Sequence, residues 1–339
     1  MKTIGKITIH HGNGGAYMKA LITELFARYF DNEFLSDQAD SAILPSESGT
    51  IAFTTDSFVV DPLFFPGGNI GTLAICGTLN DLSVCGATPA YISAGFIIEE
   101  GFGIKTLERV VRAMASEAQK ASVKIVTGDT KVVNRGKCDK LFINTSGIGV
   151  IHEKHHDISK GLRVQPGDQI LLNGSPGQHG MAVLNARGLF NFKSGLKSDC
   201  SNLYPLISQI LSVSDQVHFM RDATRGGVAT VLTELAIKTN LGISIEENAI
   251  PVDPDVRVMC EILGFDPLYL ANEGKVIVVV GAKDAVKVLS AMKREKTGKD
   301  AAIIGEITGS HKGKPVLRTI AGGSRLMEEL MGDQLPRIC

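Results

Sequence analysis

The sequence predicts an α/β protein built of α+β-type layers in two domains, and three features carry that prediction. Segments with apolar residues at helical spacing alternate with short apolar runs of strand length. A polar stretch ending Gln165-Pro166-Gly167-Asp168 interrupts this alternation near the middle of the chain. The 339 residues exceed what one core ordinarily supports, and a hydrophobic content of 44% suffices for two.

Each element has its own signal. His11-Gly12-Asn13-Gly14-Gly15-Ala16-Tyr17-Met18 reads as a flexible glycine-rich loop entering a helix, with amides that can wrap phosphate. Thr50 to Val60 reads as a strand that carries Asp56. Asn69 to Cys85 reads as a helix in which Ile70, Ala74, Gly77 and Asp81 fall in line, placing a carboxylate on the packed stripe. Lys105 to Ala121 is amphipathic, with Leu107, Val110, Val111, Met114 and Ala118 inward. Strands are expected at Val123 to Thr127, with Asp129 just beyond, and at Leu141 to Ile151. These form a first domain over 1–157, followed by a link from Ile158 to Asp168. The second domain, 168–331, starts with a strand at Gln169 to Leu172. It continues with a helix from Val228 to Lys238, a buried strand from Lys275 to Gly281 and a helix from Asp284 to Glu295. Each domain is expected to have its own core. A last helix over Ser324 to Met331 is expected to stop at Gly332. Residues 332–339 then form a flexible tail, which Pro336 keeps extended at Leu335 and which spans at most ~26–29 Å.

Composition excludes several functions. With 35 basic and 36 acidic residues, no long basic run, no Trp and 6% aromatics, the chain has no nucleic-acid signature. The N-terminus has no apolar signal core, and Val276 to Ala282 is too short to span a bilayer, so a soluble cytoplasmic protein is expected. Cysteines at 76, 85, 138, 200, 260 and 339 form no Cys-x-x-Cys pair, and only Cys339 stands apart, as the final residue.

Neither a P-loop nor a G-x-G-x-x-G helix start is present. Asp56, Asp81, Asp129 and Asp222 instead lie beside glycines, and Asp222-Ala223-Thr224-Arg225-Gly226-Gly227 leads into the helix at Val228, where an anion is favoured. Any one of these carboxylates is also an ordinary cap or turn residue. Together they match the oxygen donors that Mg²⁺ shares with phosphate. His152, His155 and His156 lie near a loop without thiols and read as solvated.

His11-Gly12-Asn13-Gly14-Gly15, Thr55-Asp56-Ser57-Phe58, Asn80-Asp81-Leu82-Ser83, Gly128-Asp129-Thr130-Lys131, Arg221-Asp222-Ala223-Thr224-Arg225-Gly226-Gly227, Asn272-Glu273-Gly274-Lys275 and the terminal Pro336-Arg337-Ile338-Cys339 occur in this order. In these motifs the chain resembles the HypE family of hydrogenase maturation proteins over essentially its whole length. The wider superfamily includes aminoimidazole ribonucleotide synthetase (PurM) and selenophosphate synthetase, which lack this tail. The resemblance implies a two-domain PurM-like fold and a homodimer. It implies ATP bound by Gly12, Asn13, Gly14, Gly15, Thr55, Asp56, Asn80, Asp129, Arg225, Gly226 and Gly227, with Mg²⁺ on Asp56, Asp81, Asp129 and Asp222. It further implies that HypF places a carbamoyl group on Cys339, which ATP-dependent dehydration turns into a thiocyanate for transfer to iron on HypC–HypD. Lys131 and Glu273 are then expected beside the tail thiol, one of them as the base. Two other readings remain open on the residues alone: another ATP-dependent enzyme of the superfamily that does not need Cys339, and a non-catalytic carrier that shuttles a group on its tail.

Overall fold

The structure, a computed structural model, describes residues 5–12, 16–32, 49–188, 190 and 192–328. The N-terminal unit is a four-stranded sheet in the order β1-β6-β4-β5, comprising β1 (Thr50–Phe58), β4 (Ala87–Glu99), β5 (Lys124–Val133) and β6 (Leu141–Ile151). A short hairpin, β2 (Phe64–Phe65) and β3 (Gly68–Asn69), precedes its main helix. An opening helix, α1 (Ala16–Leu21), continues through one π turn to Tyr29. Strands β4 and β5 are parallel and therefore need a crossover, which α3 (Ile104–Lys120) supplies. Its inward stripe of Leu107, Val110, Val111, Met114 and Ala118 is the one the periodicity predicts.

Helix α2 (Ile70–Val84) is the centre of the molecule. Its N-terminus is capped by the Asn69 side chain, which accepts the Gly71 and Thr72 N–H groups at 2.8 and 3.2 Å. Asn69→Ala is expected to cost ~1 kcal/mol through those unpaired amides, seen as a lower urea midpoint at constant m-value; an unchanged midpoint would mean water replaces the cap. The spacing-based stripe through Asp81 is corrected here. The helix is buried nearly all round, and Thr72 and Asp81 are its only positions that are not. Asp81 thus marks an opening at the unit junction, not a packed face.

The C-terminal unit is a seven-stranded sheet in the order β13-β12-β9-β11-β7-β10-β8. Its strands are β7 (Gln169–Leu172), β8 (Val217–Asp222), β9 (Gly242–Glu246), β10 (Val276–Val280), β11 (Ala302–Thr308), β12 (Pro315–Arg318) and β13 (Ser324–Leu326). Its helices are α4 (Gln178–Ala186), α5 (Tyr204–Val213), α6 (Gly227–Thr239), α7 (Pro254–Leu263) and α8 (Ala285–Met292). The unbroken apolar run of β10 has a layer explanation. Ile277 and Val279 join the core under α6, while Val276, Val278 and Val280 join the core under α5 and α8.

Three further expectations need correction. The cores are not separate, because Met181 to Leu184 of α4 and Val256, Met259 and Cys260 of α7 pack into the core of the N-terminal unit. The link is not polar throughout: Ile158 is 1% exposed and packs in the core of the C-terminal unit. The helix expected at Ser324 begins instead as strand β13, paired antiparallel with β12 across a turn closed by hydrogen bonds between Thr319 and Gly323. Pairing to a sheet edge overrides local helix preference there, and 329–331 lie outside the described residues. Among the described residues, no helix is long and apolar enough to cross a membrane.

Candidate active site

The junction between the units collects acidic groups from three elements. On β1, the Asp56 carboxylate accepts the Ser57 N–H at 2.8 Å and lies across from Gly77 of α2. On α2, Asp81 accepts the Thr54 hydroxyl at 2.8 Å. At the end of β8, Asp222 stands beside both. Burial pushes Asp56 and Asp81 up from ordinary carboxylate values; Asp56 adds to the effect on Asp81, while Arg225 and Arg221 oppose it at the two sites respectively. Asp222 is pushed up to about 7, by burial first and by Asp81 next. Three neighbouring carboxylates are thus short of positive charge.

Asp222 makes the stability of the ligand-free protein depend on pH. A carboxyl whose pKa is higher in the folded than in the unfolded chain stabilises the fold fully below its ordinary value and loses that contribution as pH rises through the folded value. The thermal midpoint without nucleotide or metal is therefore expected to fall between about pH 4 and 7, and less steeply in Asp222→Asn. An equally steep fall in the variant would assign the effect to other groups.

Beyond Asp222 the chain turns into α6. Gly226 and Gly227 both have positive φ, +71° and +63°, and a Cβ on Gly227 would lie 2.5 Å from the carbonyl oxygens of Leu268 and Leu270. Only glycine fits there, and the helix N-terminus that it opens favours an anion. Arg225 is exposed beside it. At the other end of the chain, Gly12 closes a 3-10 turn over Ile9–Gly12; Asn13, Gly14 and Gly15 lie outside the described residues. The strand-like contact of Ile7 with Gly101 and Phe102, at 2.7 and 2.6 Å, ties that segment to the N-terminal unit.

Glu273 faces the same junction from a loop before β10 and is 4% exposed. Burial holds its carboxyl well above the ordinary range, and Asp199, Asp222, Asp56 and Cys76 all add to this.

Other expected site residues stand elsewhere. Asp129 and Lys131 do not follow a strand; β5 runs on to Val133 and contains both. They form a 3.4 Å ion pair, with each side chain about two-thirds exposed, on the open face of the sheet. Three of the four expected carboxylates are therefore brought together, and Asp129 is not among them. Lys131 and Glu273 form no ion pair among the described residues, since one is on the open face and the other is buried. Thr55 is also on the open face, where its hydroxyl donates to the Thr145 carbonyl and accepts from Ser146. Asn80, expected to bind nucleotide, also clasps the two units. Its amide donates to the Ser201 and Glu273 carbonyls at 3.1 and 3.3 Å, and its Oδ1 accepts the Leu203 N–H at 2.8 Å. His155 is only partly solvated, and its buried Nε2 has no hydrogen-bond partner. Sequence reasoning missed the 3.0 Å ion pair of Asp199 with Lys275, beneath Glu273. The one available signal was a lysine abutting a wholly apolar strand. Cys339 lies outside the described residues.

No three acidic, His or Cys groups among the described residues converge closely enough to cage a metal unaided. The charge-deficient set of Asp56, Asp81 and Asp222 instead fits an Mg²⁺ ion that completes its shell with phosphate oxygens and water.

The two layered α/β units match the AIR synthase related proteins. Residues 38–151 match the N-terminal domain of that family and residues 165–318 its C-terminal domain. The chain is 46% identical over 336 residues to carbamoyl dehydratase HypE of Rhodobacter capsulatus, covering 98% of each protein. It superimposes on a crystal structure of the hydrogenase maturation protein HypE in complex with ATP with a TM-score of 0.93, at 45% identity and covering 98% of this chain and 99% of that one. It also matches a chain of a HypE–HypF complex, with a TM-score of 0.80, 48% identity and coverage of 92% and 100%. The chain belongs to the HypE family of carbamoyl dehydratases. It is therefore an enzyme of hydrogenase maturation, which removes the reading as a non-catalytic carrier.

Proposed function

We propose that the chain binds MgATP at the unit junction and uses it to dehydrate a carbamoyl group carried on its own Cys339. The observation that carries this reading is the uncompensated set Asp56, Asp81 and Asp222 at the unit junction, with Asp222 five residues before the glycine that starts α6. Asp56, Asp81 and Asp222 would hold Mg²⁺, which when bound would supply charge neutralisation for the phosphates. Arg225, Gly226, Gly227 and the segment from Gly12 to Gly15 hold the phosphates themselves.

Removing oxygen from an amide requires a better leaving group than hydroxide. The carbamoyl oxygen attacks the γ-phosphorus of ATP, the bond to the bridging oxygen breaks, and ADP departs. The nitrogen gives up one proton to solvent as the imidate phosphate forms and its second to a base as the C–O bond breaks to release phosphate, and S–C≡N remains. Glu273 suits the base role, because burial raises the basicity of its carboxylate.

HypF donates the carbamoyl group, as the HypE–HypF complex of a relative supports, and HypC–HypD accepts the cyanide. The last described residue is Glu328, whose N–H donates to the Tyr269 hydroxyl at 3.1 Å, and eleven residues follow to Cys339. Extended, they reach ~36–40 Å, enough to serve both the junction and a partner. The open face of the first sheet exposes Ile51 and Phe53 at 63% and 68%, which favours a homodimer through that face. Such pairing would also take Lys131 out of bulk solvent. The protein works in the cytoplasm.

The decisive measurement is the intact mass of carbamoylated protein after MgATP is added. Loss of one water from the tail adduct supports the reading, and an unchanged adduct with ATP consumed overturns it. Glu273→Gln is expected to load carbamoyl and bind ATP normally yet accumulate carbamoylated Cys339. Wild-type cyanation in that variant would exclude Glu273 as the base. Lys131→Ala is expected to stall at the same stage if it orients the carboxamide.

A further inference from the structure

The Glu273 loop is fixed far more tightly than a connection between strands requires. Both oxygens of the Asp199 carboxylate accept the Glu273 N–H at 3.3 Å, and one of them also accepts the Gly274 N–H and the Lys275 ammonium at 3.0 Å. Three consecutive residues are thus gathered on one buried carboxylate. The Asp199 backbone presses equally close: a Cβ on Gly274 would lie 2.0 Å from the Asp199 carbonyl oxygen. The loop's carbonyls are held as well. That of Glu273 accepts from Asn80 and Ser201, that of Gly274 from Asn173, and that of Lys275 from Ala223. In contrast, no hydrogen-bond donor meets the Glu273 carboxyl among the described residues.

Stability does not explain this arrangement. The Asp199 and Lys275 side chains are 2% and 6% exposed, and a pair so buried contributes little net stability compared with apolar side chains of similar size. What such a pair does provide is a fixed backbone geometry. We infer that Asp199, neutralised by Lys275, is the positioning residue for Glu273, fixing residues 273–275 so that one isolated carboxyl is held at the junction. The same segment reaches across the units: Ser198 N–H donates to the Pro66 carbonyl at 2.8 Å, and Asn80 of α2 grips Ser201 and Leu203. Asp199 therefore sets Glu273 relative to the helix that carries Asp81.

This inference rests on the reading of Glu273 as the base, and the test separates the two. The full-length protein, carbamoylated on Cys339, is mixed with MgATP, and cyanation is followed in a single turnover by intact mass. Asp199→Asn combined with Lys275→Met removes both charges and leaves neither unpaired. It is expected to slow cyanation ~10²-fold, as loss of catalytic geometry does, with ATP affinity unchanged. In a Glu273→Gln background the same pair of changes should slow the residual rate no further, because its effect passes through Glu273. A wild-type rate for the neutral pair overturns the inference. So does a further loss in the Glu273→Gln background, which would mark the pair as a strut. A wild-type rate for Glu273→Gln alone overturns both readings, whereas a slow Glu273→Gln beside a fast neutral pair overturns the positioning role alone. Should the neutral pair fail to fold, Asp199→Glu keeps the charge but moves the carboxylate by one methylene. Slowed cyanation with intact ATP binding supports the inference in that variant, and a wild-type rate overturns it.

Discussion

Cys339→Ala is expected to abolish cyanation completely while leaving fold and ATP binding intact. The group that is dehydrated is held through a thioester-like S–C bond, and alanine offers no atom to hold it. None of the other five cysteines can take over. Cys76 and Cys260 are buried; burial raises Cys85 and Cys138, and it pushes Cys260 up to about 12. Cys200 is held well above its ordinary value, first by its thiol's hydrogen bond to Cys76 and then by burial. The thiolate is the nucleophile, so such groups load poorly. A residue beyond the last strand contributes little to the core, and thermal melts and ATP titrations of the variant should match wild type. Cyanide delivery by Cys339→Ala protein would sink the proposed reaction.

The second large effect is expected at Asp222. Asp222→Ala should lower ATP-driven turnover by at least ~10²-fold, because metal and phosphate positioning contribute several kcal/mol to barrier lowering. Carbamoyl loading of the tail should be untouched. Asp222 is the carboxylate that burial first and Asp81 next push up to about 7, and it sits five residues before the glycine that starts α6. Asp81→Ala should behave alike, since Asp81 and Asp222 act on one another. Adding both changes should then cost less than the product of the single effects. Wild-type turnover in either single variant would reduce that carboxylate to a cap or turn residue. Binding of Mg²⁺ should also release protons, measurable in weakly buffered solution, because a carboxyl must ionise to ligate.

Where a signal is local, the sequence carried it. The inward stripe of α3, the boundaries of β7, the start of α6 behind paired glycines and the apolar run of β10 all follow from residues within a few positions of one another. The ordered motifs likewise marked Asp56, Asp81, Asp222 and Glu273 as residues of interest before any of them had a neighbour. Local reading failed wherever the deciding partner was distant. Ser324 to Leu326 became a strand because the edge of β12 was there to pair with it. Lys131 and Glu273 looked like partners, yet strand alternation turned one towards the open face and burial enclosed the other.

By itself the sequence determined the α/β class and the family motifs, because these depend on spacing along the chain. Only the tertiary structure decided which carboxylates act together. Charges interact through space, and the chain brings Asp56, Asp81 and Asp222 into one desolvated junction while leaving Asp129 on an exposed strand beside Lys131. The same holds for Asn80 and Asp199, whose hydrogen bonds cross from one unit to the other or fix a loop more than seventy residues away. Composition and periodicity contain no record of such pairings, and they arise only when two layers close on each other.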